Sequence, residues 1–401
     1  MINLRVLSHL FLLGALLVPA GGSAGPEKQA TVSPSLYQKL QKTDQLIADK
    51  AYGKAEQLLT ALLGEVKAGS YEQATVLRSL SSVFALKGQY AQAAGYLNKA
   101  LLLKVLPEPQ AQQAILNLGQ LHLAAGHYTK AIETLKPWLA QNPNPDAETS
   151  AMIANAYTQL KQYRNALPYI DKAIKASKKP SESWYQLQLA LYYELNNYSA
   201  AARTLQKLIR SYRDKKEYWK QLASLYQHTK QYKQAAVIKH LAYKKGLLDS
   251  ETDILDLTNL YLYIGSPYKA ATLLKKELDA KRIASNSKHW ELLANAWTQA
   301  REFDNATEAL KTASALNDKG SLYLQLGQIY FEQEKWDLAS NALRKALAKG
   351  GVKDAGNAYL MLGMSYFESK NIKKARQAFS EAGKYAKNRK AADQWLSYLE
   401  H

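Results

Sequence analysis

The sequence predicts an all-α solenoid of about ten helix-turn-helix units closed by a C-terminal capping helix, and three observations carry that reading. An aromatic residue followed three positions later by alanine recurs from Tyr52 to Trp336, at intervals of 33 to 38 residues, and an isoleucine-led copy ends the series. About twelve residues before each alanine a small residue follows an apolar one and an aromatic comes three later, as in Leu326-Gly327 with Tyr330. Apolar residues then recur four and seven positions after the alanine, as in Leu343 and Ala346, a helical spacing rather than a strand alternation.

Taken in order, Met1 to Ala24 has Arg5, an apolar run from Val6 to Val18, and small residues at Gly22-Ser23-Ala24. That layout is the one expected of a secretory signal peptide cleaved near Ala24, with Ala20 as the other candidate site. The run is shorter than the ~20 residues of a bilayer-spanning helix, and an uncleaved anchor is the alternative. No later stretch is apolar enough to span, so the mature chain is expected to be soluble, without a transmembrane segment. Residues 25–35 are polar, carry Pro26 and Pro34, and read as a flexible leader.

Residues 36–389 form the expected array. Its alanines are Ala55, Ala93, Ala131, Ala166, Ala201, Ala235, Ala271, Ala306, Ala339 and Ala375. Each unit is read as two amphipathic helices joined by a tight turn, with punctuation in Lys87-Gly88-Gln89, Ala125-Gly126-His127 and Asn196-Asn197. Gly327, Gly363 and Ala223 on first helices, facing alanines on second helices, are expected to let the two approach closely. The first and seventh units are degenerate, with Thr43 and Asn259 in the small-residue slot. Residues 390–401 contain Trp395, Leu396, Tyr398 and Leu399, which suits a last helix covering the end of the stack.

This pattern resembles the tetratricopeptide-repeat family, whose fingerprint of Trp, Leu-Gly, Tyr, Ala, a large apolar residue and Ala is matched in order and spacing. The terminal proline of that fingerprint survives clearly only as Pro143. The resemblance implies a right-handed superhelix whose concave wall is lined by first helices at the second, fifth, ninth, twelfth and thirteenth repeat positions. Near the start those positions hold Arg78 and Ser82, then Leu116, Gln120 and Leu123. In the middle they hold Lys220, Ser224, Gln227 and His228, followed by Lys288, Glu291 and Asn295. Toward the end they become apolar, with Leu324, Gln328 and Phe331, then Leu360, Met364 and Phe367. Either that stripe is a partner's docking groove, or the C-terminal helix folds back over it. Some family members clamp a terminal carboxylate with Lys and Asn. Asn155 and Asn295 stand at the asparagine position here, but beside Ala151 and Glu291, so no such clamp is expected.

Chemistry is sparse by comparison. The seven histidines are scattered with no metal-ligand spacing, no glycine-rich phosphate loop follows a strand pattern, and no serine sits in a nucleophile elbow. No catalytic, cofactor or metal site is expected. With no cysteine the chain cannot mispair in an oxidising compartment. Its net charge of +19 is carried mainly by dispersed lysine. Export and the scarcity of arginine argue against nucleic acid and for proteins as partners, with an anionic envelope surface as a further partner. An exported, cysteine-free array is similar to the periplasmic repeat proteins that accompany the TonB, ExbB and ExbD energy-transduction system. That similarity implies a periplasmic protein-interaction scaffold supporting TonB-dependent outer-membrane transport. The alternative is another envelope role, in outer-membrane protein assembly, exopolysaccharide export or a peptidoglycan-associated complex.

Overall fold

The computed structural model describes residues 31–400, and every regular element among them is an α-helix. The expected signal peptide, and the leader up to residue 30, lie outside the described residues. The chain divides into two compact units, Met1–Thr204 and Leu205–His401.

The first unit holds α1 (Pro34–Ala48), α2 (Tyr52–Glu65), α3 (Tyr71–Leu86), α4 (Tyr90–Leu102), α5 (Glu108–Ala124), α6 (Tyr128–Gln141), α7 (Ala147–Gln159), α8 (Tyr163–Ala176) and α9 (Glu182–Glu194). The unit boundary falls within α10 (Tyr198–Ser211). The second unit continues with α11 (Lys216–His228), α12 (Tyr232–Lys244), α13 (Glu251–Tyr263), α14 (Pro267–Asp279), α15 (Ser287–Gln299) and α16 (Phe303–Leu316). It ends with α17 (Gly320–Glu332), α18 (Trp336–Lys349), α19 (Ala355–Glu368), α20 (Ile372–Gly383) and α21 (Arg389–Tyr398). Within each unit a helix packs mainly on its predecessor and its successor, α3 on α4 and α4 on α5, or α17 on α18 and α18 on α19. That nearest-neighbour pattern is the signature of stacked repeats.

Backbone chemistry explains why each pair turns where it does. One residue in every turn within a pair takes the left-handed conformation, always two positions before the second helix: Gly88, Gly126, Asn196 and Lys370 are examples. The next amide then donates back across the turn to a carbonyl near the end of the first helix, as Gln231 N does to Tyr226 O at 2.7 Å and Asn371 N to Tyr366 O at 2.8 Å. This closes the first helix as a Schellman motif and starts the second with no room for a long loop. Several first helices begin after side-chain caps: Ser70, Asp146, Ser250, Asn286 and Asp354 each accept from an amide three residues on.

The repeat alanines occupy the centre of the stack. All ten, from Ala55 to Ala375, are fully buried. Gly327 and Gly363 set the closest approaches: a Cβ at Gly327 would lie 2.7 Å from Leu343 Cγ, and one at Gly363 only 2.5 Å from Phe379 Cε1. Gly119 repeats the arrangement against Leu135, sixteen residues on in each case.

The seventh unit departs from its expected register by one residue. Asn259, expected in the small-residue slot, is exposed, while Thr258 is fully buried. Its second helix begins at Pro267, two residues after left-handed Gly265, so Pro267 and Ala270 take the places that Tyr268 and Ala271 were expected to fill. Proline suits the first helical position, where its missing N–H has no partner to lose. Both alanines are buried, but Leu274, four after Ala270, fills the core, whereas Lys275, four after Ala271, faces solvent.

Candidate protein-binding surface

Side chains at the first-helix repeat positions are held in several different ways. In the first unit Arg78 Nη1 donates to Gln110 Oε1 at 2.8 Å, and Gln110 also bonds the Tyr71 hydroxyl. Burial pushes the Arg78 guanidinium below its ordinary pKa. Leu123, placed on the wall by its repeat position, is instead buried in a cluster with Ala131 and Ala156. In the second unit Lys220 Nζ lies 2.7 Å from Asp253 Oδ1. Burial raises the Asp253 carboxyl, but hydrogen bonds from Lys220 and Ser250 outweigh it and leave the group below its ordinary value. Further along, Gln325 Nε2 donates to Glu291 Oε1 at 2.8 Å. These three contacts each join one first helix to the next, so much of the wall's polarity braces neighbouring repeats.

Of the other middle residues, His228 and Asn295 are exposed and Gln227 is half-buried. The six apolar-zone residues share the faces of α17 and α19, which touch each other. They do not form an open row. Leu324 packs into the core, and the Phe331 ring stands edge-on to Trp336 with centroids 5.2 Å apart. Phe367 lies beneath α21, with ring centroids 5.4 Å from Trp395 and 5.7 Å from Tyr398. Trp395 also stacks on Phe379, centroids 5.2 Å apart and planes 6° from parallel. Of the two arrangements weighed for the stripe, the folded-back helix is the one found at Phe367. Leu360 and Met364 remain half-buried.

An accessible apolar surface lies elsewhere, on second helices. Val237 and Leu241 on α12 are 56% and 46% exposed, and Tyr268 on α14 is 58% exposed. They border a cleft of about 530 Å³ that repeat positions on first helices did not anticipate. The available signals were local. Lys239 stands four after Ala235, where other units place a buried leucine, isoleucine or phenylalanine, and Gly265-Ser266-Pro267 marks the shifted start that turns Tyr268 outward.

Among the described residues no group of three or more His, Asp or Glu is placed to hold a metal ion, and no helix is long and apolar enough to cross a membrane.

Three family models, each described as a tetratricopeptide repeat, match this chain: one at residues 84–156, one at 147–180, and one at 187–244 and 324–389. Together they span more than half of it, and the chain belongs to the tetratricopeptide-repeat proteins. Among solved structures it is similar to a tetratricopeptide repeat protein from Parabacteroides merdae, at 16% identity over 78% of this chain and 100% of that one, with a TM-score of 0.40. MamA from Desulfovibrio magneticus is similar at 17% identity over 46% of this chain and 98% of that one, TM-score 0.39. YrrB, described as a tetratricopeptide protein with an unusual peptide-binding site, is similar at 17% identity over 49% and 100%, TM-score 0.38. The comparison with curated proteins finds no match.

Proposed function

We propose that this chain is a non-enzymatic scaffold of the cell envelope that holds other proteins on its repeat surfaces. The carrying observation is the repeat stacking within each unit: helices fixed by buried alanines and tight turns present preformed surfaces, so a partner segment docks with little reordering of the scaffold. The signal-peptide pattern at Met1–Ala24 and the absence of cysteine support a periplasmic location. Within the envelope, the finer reading is support of TonB-dependent outer-membrane transport through contact with the TonB complex. The rival is service to outer-membrane protein assembly, polysaccharide export or a peptidoglycan-associated complex.

The test is crosslinking in intact cells followed by affinity capture of the full chain tagged at its C-terminus. Recovery of TonB, ExbB or ExbD supports the transport role. Recovery of other envelope machinery keeps the scaffold and overturns the finer assignment. A chain that crosslinks to no protein overturns the scaffold reading.

A further inference from the structure

Resting on the scaffold reading and deepening it, the geometry points to the cleft between α12 and α14 as a docking site for an acidic peptide segment bearing aliphatic or aromatic side chains. The two helices face each other with complementary stripes. On α12, Lys233, Val237, Leu241 and Lys244 follow one helical face, and on α14 Tyr268, Lys269, Thr272 and Lys276 follow another. Apolar groups thus alternate with ammonium groups around one opening, and no carboxylate lines it.

The floor has spent its hydrogen-bonding capacity internally. The Tyr261 hydroxyl lies 2.7 Å from His240 Nδ1, and the Tyr243 hydroxyl donates to Glu277 Oε1 at 2.5 Å. Glu277 itself is fully buried and is neutralised by the Arg282 guanidinium. Lys233, Lys244 and Lys269 make no ion pair among the described residues, so their charge is open to a partner. Burial, and after it the nearby Lys244 and Lys269 ammonium groups, hold His240 below the ordinary histidine range. Aliphatic and aromatic surface at the rim gives anchors a place to bury, and the lysines select for acidic neighbours of those anchors. An inset cleft accepts side chains singly, whereas a bilayer is met by a continuous amphipathic face.

The experiment is fluorescence anisotropy of the full chain with a dye-labelled peptide alternating glutamate and leucine, its lysine-leucine counterpart serving as control. The acidic peptide is expected to bind and the basic one not to bind. Leu241→Glu and the pair Lys244→Glu/Lys269→Glu are each expected to weaken acidic-peptide binding by about tenfold or more, with circular dichroism unchanged because all three positions face solvent. Equal binding by wild type and variants overturns the site, as does binding of both peptides alike. Sedimentation with phosphatidylglycerol vesicles that depends on Leu241, without peptide binding, reassigns the cleft to lipid and overturns the proposal. The variants also separate this inference from the scaffold reading. If wild type and both variants crosslink the same protein in cells, the cleft fails and the scaffold stands, whereas no crosslinked protein with wild type removes both.

Discussion

The stack reads differently at its last two pairs, α17 to α20, and at the two pairs from α11 to α14. In the last pairs the small-residue and large-apolar slots are filled as the repeat asks, with Ile372 in the aromatic slot of the final one: Gly327 meets Leu343, Gly363 meets Phe379, and Ala339 and Ala375 are fully buried beside them. In the middle pairs the slots are broken. Lys239 replaces the large apolar residue and ion-pairs with Asp256 at 3.5 Å, and the seventh pair slides by one residue onto Pro267 and Ala270. Strict repeats spend most of their apolar residues on one another, although Leu338 on α18 and Ile372 on α20 are 48% and 42% exposed. Broken repeats release some of theirs, and Val237, Leu241 and Tyr268 stand at the surface where the pattern fails. Departures from the repeat consensus therefore mark where apolar side chains change sides, while adherence to it is informative about packing.

The sharpest break of this comparison comes from the ordered end. Phe379→Ala removes a fully buried ring stacked on Trp395, so calorimetry or urea unfolding should show a loss of about 3–5 kcal/mol. Gly363→Ala is the next largest. The added methyl meets the Phe379 ring, and an overpacking cost of about 1–3 kcal/mol should exceed the ~1 kcal/mol that alanine gains over glycine in a helix.

Arg282→Gln probes the middle. Burial raises the Glu277 carboxyl, but hydrogen bonds from Arg282 and Tyr243 more than offset this and hold it below its ordinary value. A depressed folded-state pKa contributes stability that is present above the unfolded value and lost as the pH falls through the folded one. The variant should melt below wild type at neutral pH, and the gap should close as the pH falls through and below the ordinary glutamate range. A gap independent of pH would show that Glu277 is not held by charge.

Gly95→Ala has the opposite sign. A Cβ at Gly95, inside α4, meets nothing, so the variant should gain about 0.5–1 kcal/mol from helix propensity and reduced unfolded-state freedom. Smallest of all, Leu241→Glu should stay within about 0.5 kcal/mol of wild-type stability, because its side chain faces solvent.

Much of this fold was legible in the sequence. Period and spacing placed the ten alanines at buried positions and put Gly327 and Gly363 at close helix approaches, because volume at those slots leaves little freedom of residue type. The slip in the seventh pair was harder to read. Ala270 and Ala271 are adjacent, Tyr268 imitates the repeat aromatic, and only left-handed Gly265 with a proline at the first helical position fixes the register. Leu123 was obscured, and Phe367 left between two readings, for another reason. Each is covered by a residue remote in sequence, Ala156 and Trp395 respectively, and a position within one repeat does not reveal what the next element places on it. The cleft was missed because the resemblance directed attention to first helices, whereas its apolar rim lies on second ones.

The most direct measurement is site-specific photocrosslinking in living cells, with a photoreactive phenylalanine placed at position 241 in one strain and at position 364 in another. If the broken repeats are where this scaffold takes its partner, position 241 captures a discrete protein that the Lys244→Glu/Lys269→Glu background no longer yields, and position 364 captures little. Capture at position 364 with none at 241 would contradict that claim and return the partner to the first-helix wall.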